Sequence, residues 1–242
     1  MAIIFPSCRA GRGALPANLV TLLPAFRKDW RGFFFPGGAS VADTVGVFID
    51  YENAHRTAHG LFSGQGSNRY DTVVDPLKLA EHLVAKRSRA STLGGVWVFR
   101  GKPSAAVQRT PASANDLQAQ AWSADPRVHM VQRDLKYEWH DDGTFTAREK
   151  GIDVALAVGL TEHALDGDID AAIVFSGDTD ILPALELVYY RRLIHLEIAA
   201  WSGQKPLWFA EMLRANPPRR LPYCHFLSEQ DFIDDRDFSA RT

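Results

Sequence analysis

Four aspartates stand where this chain can most readily do chemistry. Asp50 closes the apolar run Val45-Gly46-Val47-Phe48-Ile49, and Asp178 and Asp180 follow a second such run, Ala171–Phe175. Asp153 opens the apolar helical stretch Ile152-Asp153-Val154-Ala155-Leu156. Carboxylates gathered without cations resist ionisation unless a hard divalent ion compensates them. The chemistry expected is therefore Mg²⁺ or Mn²⁺ chemistry on a phosphate ester. There a cation polarises the phosphate and lowers the pKa of a bound water, with no need for a Ser, Cys or His nucleophile. Each aspartate also has a plainer role open to it. Asp50 can end a strand, Asp153 can sit favourably at a helix N-terminus, worth about 0.3–1 kcal/mol, and Asp178 or Asp180 can cap the next helix. Two strand ends that are both acidic, one with carboxylates two residues apart, argue for a joint role.

Positioning four such groups requires an alternating frame, and the sequence supplies one. Continuous apolar β-branched runs at 45–49, 95–99, 128–131, 171–175 and 193–199 read as strands buried on both faces. Helices are expected over 51–62, from Asp75-Pro76 to about 87, and over 112–123, 152–165, 179–191 and 206–214. Residues 137–146 alternate around Asp142-Gly143, a hairpin signal. Strands and helices in this order predict a doubly wound α/β sandwich with a mostly parallel sheet. In such a sheet, ligands bind outside the carboxyl ends of the strands, where Asp50 and Asp178 fall. The compact domain is expected over 43–215. Residues 1–42 read as a loosely ordered extension, and 216–242 as a C-terminal extension with a partly ordered acidic tail.

Bulk properties narrow the classes. At 242 residues there is room for one full α/β core. A formal net charge of −2 excludes a generally basic nucleic-acid coat, so nucleic-acid binding would need grouped cations or a metal. Two cysteines are too few for a disulfide framework or a zinc site, and a reducing, cytoplasmic setting is expected. No apolar run approaches the roughly 20 residues of a membrane helix. There is no Walker A loop, dinucleotide fingerprint or Gly-x-Ser-x-Gly elbow.

Three segments, taken together, resemble a known family. Phe48-Ile49-Asp50-Tyr51-Glu52-Asn53, Lys150-Gly151-Ile152-Asp153-Val154-Ala155-Leu156 and Ser176-Gly177-Asp178-Thr179-Asp180-Ile181-Leu182-Pro183 are similar, in order and spacing, to the motifs of NYN domains. These belong to the PIN-like ribonuclease superfamily, which includes LabA-like bacterial proteins. The resemblance covers roughly residues 43–200, and it departs from the family only at Ile181, where Phe is common. It implies a PIN-like α/β/α fold and metal-dependent cleavage of RNA. Asp50, Asp153, Asp178 and Asp180 would hold Mg²⁺ or Mn²⁺. Asn53 would line the pocket, and Ser176 would contact a metal-bound water or a phosphate. It also implies a tendency to pair as a homodimer, for which Trp201 and Trp208 are the candidate exposed side chains.

Several other residues invite a functional reading beside a structural one. Lys150, Arg191 and Arg192 are candidate phosphate contacts, or plain surface charge. Trp97, Trp201 and Trp208 can stack on bases, or pack in a core. His55 and His59, four apart, can bind a metal or shuttle a proton, or form a partly exposed helix face. Two rival functions remain at this point. A HAD-like phosphatase would use Asp50 as a covalent nucleophile, but its motif wants a second aspartate where Glu52 stands. A non-catalytic RNA-binding or regulatory module would keep the fold and the acidic pocket without turnover.

Overall fold

The structure, a computed structural model, describes residues 42–214 and 220–237. The expected extension over 1–42 lies outside the described residues, apart from residue 42. Each element begins where the local chemistry allows it. Strand β1 (Asp43–Asp50) runs straight into helix α1 (Tyr51–Phe62), whose N-cap is Asp50. Helix α2 (Pro76–Ala85) is capped by Asp75, whose Oδ1 accepts from the amides of Leu77 and Lys78, with proline in the first turn. Strand β2 (Ser91–Lys102), helix α3 (Arg109–Trp122) and strand β3 (Val128–Asp134) follow. A two-stranded hairpin, β4 (Lys136–Trp139) and β5 (Phe145–Arg148), stands apart from the main sheet.

Helix α4 (Ile152–Asp166) starts after Gly151, which has φ 76°, a left-handed conformation that favours glycine. Strand β6 (Ala171–Phe175) ends just before Ser176. A 3₁₀ turn at Thr179–Ile181 then leads into α5 (Leu182–Arg191), in place of one uninterrupted helix. Pro183 in the first turn of α5 fits that restart, since its missing N–H costs nothing there. Strand β7 (His195–Trp201) and the short α6 (Ala210–Arg214) come next.

The main sheet has six parallel strands in the order β3-β2-β1-β6-β7-β8, where β8 is Tyr223–Leu227. Alternate side chains feed two cores. Val45, Val47 and Ile49 face a layer that includes α1, α2 and Trp122 of α3, while Phe48 faces the layer of α4, α5 and α6. The chain is thus an α/β/α sandwich of the PIN-like, Rossmann-like kind. The strand order reverses between β1 and β6, which opens a crevice at their carboxyl ends. Among the described residues, no helix is long and apolar enough to cross a membrane.

The acidic end of the chain is a correction to the sequence reading. Residues 231–237 are not a loose tail. Strand β8 completes the sheet and helix α7 (Glu229–Asp234) packs on it, with Phe232 2% exposed against Phe62 and Trp201. The carboxylates that suggest a solvated tail are used internally. Asp231 closes a capping box with Ser228 and pairs with Lys86 at 3.0 Å, Asp235 pairs with His82 at 3.3 Å, and Asp237 accepts from Trp122 Nε1 at 3.0 Å.

Candidate active site

Hydrogen bonds tie the two loops at the β1/β6 crevice into one unit. Ser176 Oγ donates to Asp50 Oδ2 at 2.9 Å, and the amide of Asp178 donates back to Ser176 Oγ at 3.0 Å. The amide of Asn53 donates to Asp50 Oδ1 at 3.2 Å, and the amide of Gly177 donates to Asn53 Oδ1 at 2.9 Å. Asp178 Oδ1 accepts from the amide of Asp180 at 3.0 Å. Asp50, Asn53, Ser176 and Asp178 are therefore brought together by geometry that their own side chains maintain.

The electrostatics of this unit are unfavourable to the isolated protein. Burial raises the Asp50 carboxyl pKa, and the negative charges of Asp178 and Glu52 push the same way. The bonds from Asn53 and Ser176 only partly offset this. Glu149, in the loop before α4, is a further member. Burial, with Glu52 and Asp50 adding, pushes its carboxyl up to about 7, although Oε1 accepts from the amide of Gly101 at 2.5 Å. That approach depends on glycine, because a Cβ at 101 would lie 2.7 Å from Glu149 Oε1 and 2.4 Å from Leu135 Cδ2. Glu52 is better compensated. Arg56 and Arg69 lie 3.2 Å from its carboxylate and Arg100 lies 3.7 Å from it.

The other two sequence-predicted aspartates sit to one side. Asp153, in the first turn of α4, and the exposed Asp180 both line the groove between α4 and α5, beside the apolar Val154 and Leu187. Among the described residues, no three His, Cys, Asp or Glu side chains converge closely enough to hold an ion by themselves. The donors nonetheless fit a hard cation. They are all oxygen, and Asp50 and Glu149 carry a repulsion that positive charge would relieve. Mg²⁺ commonly takes only one or two carboxylates and completes its shell with water and phosphate.

The remaining candidates separate clearly. Lys150 is exposed in the loop entering α4, at the site end of the molecule. Arg191 and Arg192 close α5, so they lie at the opposite end of the sheet, where strands begin. The expectation that they contact substrate beside the aspartates does not match this placement. A helix that leaves β6 at the site must end far from it.

Trp201 is fully buried and donates from Nε1 to the carbonyl of Ala54 at 2.8 Å, so it is not an exposed interface side chain, whereas Trp208 is 63% exposed. Trp97 stacks between Phe48 and His129 at centroid distances of 4.8 and 5.1 Å. His55 is buried and His59 half-buried, so the helix face they share is partly exposed. His55 Nε2 and His59 Nδ1 lie 3.2 and 3.0 Å from Thr72 Oγ1, holding the 69–72 turn, and burial pushes the His55 pKa down to about 4. Sequence reasoning missed Glu149, which adjoins the Lys150–Leu156 motif, the only local signal available.

No curated protein matches the sequence. Among solved structures, a protein of unknown function, VPA0982, from Vibrio parahaemolyticus RIMD 2210633 is similar, with 13% identity and a TM-score of 0.45 over 79% of this chain and 96% of that one. The family described as NYN domain matches residues 44–208, most of the chain. The chain belongs to the NYN domain family.

Proposed function

We propose that the protein is a metal-dependent endoribonuclease whose active site is the β1/β6 crevice. The observation that carries this reading is the hydrogen-bonded unit Asp50–Ser176–Asp178–Asn53, in which a buried carboxylate is held beside further uncompensated acids. Such an arrangement is costly to the empty protein and favourable once a cation and a phosphate ester are bound. Membership of the NYN family supports RNA as the polymer and a nuclease-type activity.

In this reading Asp50 and Asp178 would hold Mg²⁺ or Mn²⁺, with Asp153 and Asp180, at the edge of the neighbouring groove, as the remaining acids of the set. The bound cation supplies positive charge at the scissile phosphate and lowers the pKa of a water. The chain's own groups do the rest. Ser176 and Asn53 keep the Asp50 carboxylate in one orientation. Glu149, its carboxyl raised by burial and by the neighbouring Glu52 and Asp50, adds a further acid beside the aspartates. Lys150 and Arg56 are the cations available to a phosphate at the rim, in preference to Arg191 and Arg192.

The phosphatase reading has less support. A covalent aspartyl nucleophile wants a second aspartate two residues on, and Glu52 at that position is engaged by three arginines. The test is a choice of substrates. With Mn²⁺, the purified protein should cut a circular single-stranded RNA and leave a simple phosphomonoester intact. Hydrolysis of the monoester with a phosphoenzyme at Asp50 would overturn the proposal.

A further inference from the structure

Beside the acidic crevice lies a cavity of about 250 Å³, lined by α1, α3, the end of β2 and the hairpin, and by Glu52 and Glu149, whose charges are felt at Asp50. Asn115, in the middle of α3, lines it. Its side chain is buried in a residue 1% exposed, and neither its amide nitrogen nor its carbonyl oxygen has a hydrogen-bond partner. Buried amides are nearly always paired, so an unpaired one beside a cavity marks a place where an entering ligand group can supply the missing partners after a small side-chain adjustment. Arg100, on the same wall, is fixed by Gln118 Oε1 at 2.7 Å, lies over the Tyr51 ring at 4.8 Å and turns its Nε to the Glu52 carboxylate at 3.7 Å. At the mouth, Tyr70 is 49% exposed and offers a ring for stacking.

We propose that this cavity binds one nucleobase of the RNA strand, with adenine preferred, and that Asn115 reads its edge. The proposal rests on the RNA reading of the neighbouring site. An Asn amide presents a donor and an acceptor side by side, which matches the N6 and N7 edge of adenine. The volume lies just below the range of about 300–1,000 Å³ typical of larger ligands, which suits a single base. Charge favours a base over a free phosphate. Arg56, Arg69 and Arg100 all face Glu52, and Glu149 adds a second carboxyl, so the cationic character of the cavity is largely offset. Stacking on Tyr70 and the Arg100 plane are further features of single-strand base recognition. A strand with its phosphate at Asp50 and Asp178 would place an adjacent base across Glu52 and Glu149, so Asn115 would set sequence preference at the cut.

The test is binding by the full chain carrying Asp178→Asn, which the proposed function expects to be inactive and which lies outside the cavity lining. Fluorescence anisotropy with short labelled oligo(A), oligo(U) and oligo(C) in Mn²⁺ reads the discrimination. Oligo(A) should bind roughly tenfold or more tighter than oligo(U). Adding Asn115→Ala should abolish that ratio without lowering the melting temperature, because no internal hydrogen bond is lost. Adding Asn115→Asp, which exchanges the amide donor for an acceptor, should weaken oligo(A) and favour oligo(C), whose N4 amino group donates. Equal affinity for all three, or discrimination that survives both Asn115 variants, would overturn the cavity proposal while leaving the nuclease reading intact. Failure of the wild-type protein to bind RNA in Mn²⁺ would overturn both.

Discussion

At the scale of single residues, the site is marked by charges that the isolated protein would rather not hold. Glu149 shows this most plainly. Its carboxyl is raised from 4.5 to about 7 by burial first, then by Glu52 and Asp50. A raised carboxyl favours the fold below its unfolded pKa, and that contribution is lost as pH rises from 4.5 to 7. Glu149→Gln keeps an acceptor for the Gly101 amide and removes the ionisation. In EDTA it should therefore raise the melting temperature more at pH 8 than at pH 5. A gain equal at both pH values would show that Glu149 is ordinary. Asp50 and Asp178 were legible in sequence because they follow apolar runs that must be strands, whereas Asn53 and Ser176 were expected only from the resemblance of their motifs to the family. Glu149 and Asn115 were not, since one sits in a loop between charged neighbours and the other is a polar residue inside a helix. Only the fold brings either to a cavity.

At the scale of elements, strand and helix identities were legible from apolar runs and caps, and the misreadings came from side chains whose burial depends on distant partners. Trp201 ends β7 and faces the core of α1 and α7, a position fixed by the parity of the strand. Trp201→Ala should cost about 3–5 kcal/mol in urea denaturation. Trp208→Ala, at an exposed position, should change stability by no more than about 0.5 kcal/mol. Equal costs would contradict the assignment of Trp201 to the core. The same reasoning explains His55 and His59. Their spacing shows a shared helix face, but only the 69–72 turn decides that the face is covered at His55 and left partly open at His59. For α5, the direction of the helix carries Arg191 and Arg192 away from the site, which adjacency in sequence conceals.

At the scale of the whole molecule, the sheet is fastened across distant segments by a buried ionic cluster. Glu197 of β7 meets Arg87 at 2.9 Å, His195 at 3.1 Å and His225 of β8 at 2.6 Å, and Arg87 also reaches Asp43 of β1 at 3.2 Å. Burial alone would raise the Glu197 carboxyl, but bonds from His195, His225 and Arg87 outweigh it and hold the group well below its ordinary value. A depressed carboxyl stabilises the fold above its unfolded pKa of 4.5, and that support is lost as pH falls below it. Glu197→Gln should cost roughly 3–5 kcal/mol at pH 7, and the gap from wild type should narrow on acidification below pH 4.5. A gap independent of pH would contradict the cluster. This fastening, like the sixth strand, was not legible locally, because its partners come from four separate segments. We propose that the β1/β6 crevice hydrolyses RNA through its carboxylates. The most direct measurement is cleavage of a labelled, mixed-sequence single-stranded RNA by wild type and Asp178→Asn, each in Mn²⁺, Mg²⁺ and EDTA. Cleavage that requires a divalent cation and falls a hundredfold or more, on the order of 3 kcal/mol of barrier, in the variant is the expected result. Cleavage that persists in EDTA, or that Asp178→Asn leaves unchanged, would contradict it.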